Sequence, residues 1–202
     1  MGRRKEIEQF VSRKLQYLAA SSDRGEGTGM LAVLRKGIGR KPGEKPELLG
    51  ILLTDMPEDF MSVNTEPTRE EWACYTALTL YAMCQQGRDP EKENADATEG
   101  ADLGAAMAEY VRLSEDGNAQ RRMAKKLQTL STSKDMEEFS YHLRSIIKLL
   151  KSKDIAINYP KLAGDLYEYQ FPESRTGIFL KWGQDFYRNT HSEKITEEEN
   201  DE

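Results

Sequence analysis

Apolar residues recur at helical spacing along most of this chain. Ile7, Phe10, Val11, Leu15 and Leu18 share one face and predict a helix up to about Ala20. Met30 to Leu34 predicts a short apolar helix, stopped at Gly37 and kept from resuming by Pro42. Glu47 to Leu53 predicts one or two helical turns, and Asp55 to Pro67 a loop. Thr68-Arg69-Glu70-Glu71 reads as a capping box. It opens the most hydrophobic helix, Trp72 to Gln85, which is apolar almost all round and is expected at the centre of a bundle.

Beyond an interval without periodicity, a helix rich in small residues begins at Asp102-Leu103-Gly104-Ala105-Ala106-Met107-Ala108. Met123, Leu127 and Leu130 define the next, and Met136, Phe139, Leu143, Ile146, Ile147 and Leu150 the one after. Tyr159, Leu162, Ala163 and Leu166 share a face. Pro172 starts a last helix carrying Ile178, Phe179, Trp182 and Phe186, expected to fray near Asn189. No alternating strand pattern competes. The expected fold is all-α, about eight or nine helices in two small bundles. The expected boundaries are an N-terminal bundle over residues 1–87, an acidic linker over 88–102, a C-terminal bundle with a basic face over 103–190, and a disordered acidic tail over 191–202.

Charge sharpens this picture. The 202 residues carry a formal net charge of −6. Taken whole, that argues against a protein that coats nucleic acid. The tail and the 88–102 stretch, however, hold −9 between them, so the remaining chain is +3. Both acidic pieces are poor in large apolar residues and are expected to be mobile. The surplus is clustered. Residues 118–151 hold eight Lys or Arg against three acids, and residues 24–45 hold six against two. On the wheel, Arg121 and Lys125 point away from the apolar face, with Arg122 and Lys126 flanking them. Arg144, Lys148 and Lys151 run along one side of the following helix. Like charges at i, i+4 oppose helix stability, which points to an external polyanion. Charge runs on helices are usually solvated faces, and a Gly-rich basic segment such as that carrying Arg35, Lys36, Arg40 and Lys41 is more often just a flexible loop. Trp72, Tyr75, Tyr81, Trp182 and Phe186 are expected in the core rather than as stacking platforms for bases.

Catalytic patterns are thin. His142 and His191 have no Cys or second His at ligand spacing, so no metal site is expected. There is no GxSxG elbow, and Gly37-Ile38-Gly39 lacks the third glycine of a dinucleotide fingerprint. Glu70-Glu71 and Glu137-Glu138 lie in first helical turns, where the macrodipole accounts for them. No catalytic residue and no cofactor are expected. Cys74 and Cys84, on one helix and roughly 15 Å apart, are beyond disulfide reach. With no signal-peptide pattern at the start and no apolar run long enough for a bilayer, a cytoplasmic protein without membrane contact is expected.

Several segments, in this order, are similar to a known family. They are GMLAVLRKGIGR over Gly29 to Arg40, WACYTALTLYAMCQQG from Trp72, Leu103 to Ala108, Gln120-Arg121-Arg122, Leu143-Arg144, Tyr159 to Leu166, and Trp182 to Tyr187. The chain resembles the small subunit of the type I-E CRISPR surveillance complex Cascade, the CasB family. That resemblance implies an all-α, non-enzymatic subunit present in two copies among other Cascade subunits. It implies contact with the guide RNA, target DNA and displaced DNA, stabilising the R-loop in antiviral defence. Arg35 and Lys36 match the family's basic pair, Arg121 and Arg122 its paired arginines, and Arg144 its arginine after leucine. Ser145 stands where family members often carry a second arginine, and Lys148 is a candidate to compensate. The expected nucleic-acid-binding set is therefore Arg35, Lys36, Arg40, Lys41, Arg121, Arg122, Lys125, Lys126, Arg144, Lys148 and Lys151. The alternative of another class is an all-α protein-interaction adaptor whose basic face binds an acidic partner. A small hydrolase with an unfamiliar site is a third reading.

Overall fold

The computed structural model describes residues 2–21, 25–89, 92–97 and 101–198, with side chains through 190. These residues form nine α-helices: α1 Arg3–Ala20, α2 Glu26–Arg35, α3 Leu49–Leu53, α4 Arg69–Cys84, α5 Leu103–Arg112, α6 Ala119–Ser131, α7 Met136–Ser152, α8 Tyr159–Tyr169 and α9 Pro172–Glu198. Single 3-10 turns at Pro46–Leu48 and Glu58–Phe60 add to them. The all-α architecture expected from periodicity stands. Among the described residues the one strand-like feature is an isolated bridge between Asp96 and Ile157.

α4 is the central element. Residues 73–85 are buried without interruption, as an all-round apolar helix requires. Its start is set by the predicted capping box. Thr68 Oγ1 accepts from the Glu71 amide at 3.0 Å, and Glu71 Oε2 accepts from the Thr68 amide at 2.7 Å. α1, α2, α7 and α8 pack against it. α5 and α9 form the other tight pair, with α6 and α7 beside them. α5 approaches α9 closely because residue 104 is glycine: a Cβ there would run into the Trp182 carbonyl oxygen. A single core of buried side chains joins the two groups. α8 lies C-terminal to the acidic stretch, yet it packs on α1 and α4 as well as on α9.

The joint between α1, α8 and α9 is ionic. Asp165, 1% exposed, accepts from Arg4 Nη2 at 2.5 Å and from Trp182 Nε1 at 2.8 Å. Arg4 also meets Glu8 at 2.8 Å, and Glu168. Burial lowers the guanidinium's pKa, but these three carboxylates outweigh it and hold it above its ordinary value. A buried charge is tolerated here because it is paired and hydrogen-bonded.

Two expectations change. Residues 92–97, expected to be mobile, are anchored. The Gln85 side chain donates to the Glu93 carbonyl at 3.1 Å and accepts from the Ala95 amide at 2.9 Å. The Ala97 amide donates to Ile157 O at 2.9 Å, and Asp96 Oδ1 accepts from the Tyr159 amide at 2.9 Å. The buried Gln85 side chain at the end of α4 and the backbone before α8 supply this order, so the composition of the stretch alone misjudges it. Helix α9 also continues to Glu198, past Asn189. Residues 199–202 of the acidic tail lie outside the described residues. Trp182, Phe186, Tyr75 and Tyr81 are core side chains as expected, and Trp72 packs against the core. Both cysteines are free and buried. No described helix is long and apolar enough to cross a membrane.

Candidate nucleic-acid interface

Four bases lie on α6, whose amphipathic pattern sets their directions. Met123 and Leu130 face the core, so Arg121 and Lys125 are turned outward, and both are exposed. Neither has a carboxylate within ion-pair distance among the described residues. Arg122, also exposed, is ion-paired with Asp116 Oδ2, though without hydrogen-bond alignment. Lys126 leans toward α7 and donates to Ser145 Oγ at 3.1 Å. Ser145 thus tethers the two basic helices.

The bases of α7 do not act as one stripe. Lys148 is exposed and unpaired among the described residues. Lys151 donates from Nζ to the Met83 carbonyl at 2.6 Å, satisfying an orphan acceptor at the C-terminal end of α4. Arg144 reaches the other way, toward the loop after α2. Its Nη1 lies 3.3 Å from where a Gly39 Cβ would stand, and φ is +74° at that glycine. Arg144 Nε is buried with no hydrogen-bond partner among the described residues.

The loop after α2 is held rather than free. Tyr75, on α4, donates to the Gly37 carbonyl at 2.8 Å. Burial, with a contribution from Glu44, pushes this phenol up to about 12 against the opposing effect of Arg40, so it stays a donor. Arg35, partly buried, ends α2 and has no acidic partner among the described residues. The other three bases each face a carboxylate: Lys36 with Glu47 at 3.7 Å, Arg40 with Glu44 at 3.7 Å, and Lys41 with Glu66. Gly39 also borders an open depression containing Asp135, Glu137, Glu138, Tyr141 and His142. Arg144 therefore joins the two basic clusters across a neighbourhood that is partly acidic.

A groove of about 750 Å³ runs along the outer side of α6 and reaches Tyr187 on α9. Arg121 and Lys125 line it. The apolar spacing of α9 pointed to Trp182 and Phe186 and passed over Tyr187. The signal was there, since Tyr187 falls off the Ile178, Trp182, Phe186 face. No cluster of three or more potential metal ligands occurs among the described residues.

The family model for CRISPR-associated protein Cse2 matches residues 30–187. The chain belongs to that family. Its fold is similar to the crystal structure of CasB from Thermobifida fusca, with a TM-score of 0.71 and 25% identity over 89% of this chain and 97% of that one. A CRISPR-associated protein of the Cse2 family from Thermus thermophilus matches with a TM-score of 0.64 and 20% identity, over 88% and 97% of the two chains. A chain described as a CRISPR RNA-guided surveillance complex matches with a TM-score of 0.66 and 17% identity, over 96% and 98%. No curated protein matches. The family suggested by the sequence is thereby shown, and the Cse2 match spans α4 to α8, most of α2, and α9 through the aromatic at 187.

Proposed function

We propose that this Cse2-family chain is a non-catalytic subunit of a CRISPR Cascade complex that holds nucleic-acid backbone within the R-loop. Family membership and the fold shared with a surveillance-complex chain support the setting. One observation carries the ligand: α6 turns Arg121 and Lys125 into an open groove with no carboxylate among the described residues to neutralise them. A polyanion met there displaces only water and counterions. RNA-guided recognition leaves sequence to base pairing, and a subunit with this task needs cations rather than a base-reading code. Assembly raises effective concentration, so weak intrinsic binding suffices and an acidic overall charge is tolerated. Arg35 and Lys148 extend the reach of the surface. Lys36, Arg40, Lys41 and Arg122 would contribute after exchanging an internal acid for phosphate. The guide RNA, target and displaced DNA, other Cascade subunits and a second copy of this chain are the proposed partners.

The test is the double charge reversal Arg121→Glu with Lys125→Glu in the assembled complex. Its expected result is a less stable R-loop, with the salt slope of nucleic-acid binding reduced by about two units, roughly one per lost contact. A wild-type slope in a folded variant overturns the assignment. A protein adaptor would instead keep an acidic partner in the presence of excess nucleic acid.

A further inference from the structure

The groove beside α6 has a feature that a duplex backbone would not use. Tyr187 borders it from α9 and is 45% exposed, whereas Trp182 and Phe186, on the same helix, are fully buried. The Tyr187 ring is therefore not a core side chain. Its one ring contact among the described residues is edge-to-face with Phe186, centroids 5.0 Å apart. Along the facing side stand Arg121 and Lys125, one helical turn apart and without acidic partners among the described residues, with Gln120 before and Gln128 after them along the same groove. Cations that track a backbone beside a solvent-facing aromatic are the combination that binds unpaired strands, because every base offers a π-face once it is unstacked. In a duplex the faces of internal bases are already occupied by stacking. The aromatic would then gain nothing.

We infer that Tyr187 is a stacking platform for an unpaired base of a single strand whose phosphates lie along Arg121 and Lys125. The inference rests on the reading of α6 as a backbone-binding face and adds the state of nucleic acid that the groove selects. Gln120 and Gln128 offer hydrogen bonds to the stacked base or its sugar without fixing one base identity, so sequence preference is weak.

The probe is a single-stranded oligonucleotide of about a dozen nucleotides carrying 2-aminopurine, titrated against the full chain alongside a duplex of the same sequence. Wild type is expected to quench the fluorescent base on binding. Tyr187→Ala is expected to lose the quench and to bind the single strand about tenfold more weakly, as removal of a stacking partner does. Its salt slope and its affinity for the duplex should be unchanged. Tyr187→Phe should restore both quench and affinity, which a role through the hydroxyl would not. Circular dichroism of Tyr187→Ala should match wild type, since the ring lies outside the core. Wild-type affinity and quench in Tyr187→Ala overturn the platform, while Arg121→Glu with Lys125→Glu, read in the same assay, reports separately on the backbone face. If the platform fails and that double variant still loses salt slope, only this inference falls. If the double variant also behaves as wild type, the reading of the face falls with it.

Discussion

Arg4 and Arg121 carry the same guanidinium in opposite circumstances. Arg4 sits among Asp165, Glu168 and Glu8, and Asp165 also receives Trp182 Nε1, so one carboxylate ties α1, α8 and α9 together. Arg121 sits on a helix of the same chain with no acid in reach among the described residues, beside an open groove. The first charge holds the fold together, and removing its partner leaves buried polar groups unmatched. The second contributes little to the fold and is available to a ligand. The loop bases fall between: Lys36 and Arg40 are exposed and Lys41 is half-buried, each beside an internal glutamate. Charge count does not distinguish these cases. Partner and exposure do.

The largest effect expected from this contrast is on stability. Asp165→Ala should lower the unfolding free energy by about 2–4 kcal/mol, somewhat less than for a fully isolated buried charge, because Arg4 keeps Glu8 and Glu168. Urea denaturation measures it, and a loss no larger than that of a surface substitution would erase the distinction between the two arginines. Arg121→Ala in the same experiment should stay within about 0.5 kcal/mol of wild type while weakening nucleic-acid binding. Within α7, Lys151→Met should cost about 1 kcal/mol through the lost bond to the Met83 carbonyl and leave the salt slope nearly intact. Lys148→Met should do the reverse, with no stability change and a slope smaller by up to about one unit. The smallest effect belongs to the loop. Glu66→Gln should change stability by less than about 1 kcal/mol, as exposed ion pairs do. By releasing Lys41 it should tighten nucleic-acid binding slightly, which a salt titration against wild type reads. Unchanged or weaker binding would mean that Lys41 does not face the ligand.

Much of the helical framework was legible because helix signals are local. The capping box at Thr68 and Glu71, the all-round apolar run of α4, and the stripe from Met136 to Leu150 each need only i, i+3 and i+4 spacing. The outward direction of Arg121 and Lys125 followed from the same geometry. Residues 92–97 misled because net acidity says nothing about a buried Gln85 that satisfies their backbone. Tyr187 was passed over because an aromatic beside Phe186 reads as core unless the helix phase is followed one residue further.

The sequence by itself determined an all-α chain, the central place of α4, and two basic clusters in a body freed of its acidic segments. Only the tertiary structure decided which bases are available. Lys41 meets Glu66 from 25 residues away, Lys151 reaches the Met83 carbonyl from 68, and Arg144 crosses to the loop at Gly39. Such contacts depend on how helices pack and how far a long side chain extends. Periodicity fixes the face on which a charge stands, whereas its partner comes from whatever element the fold brings alongside.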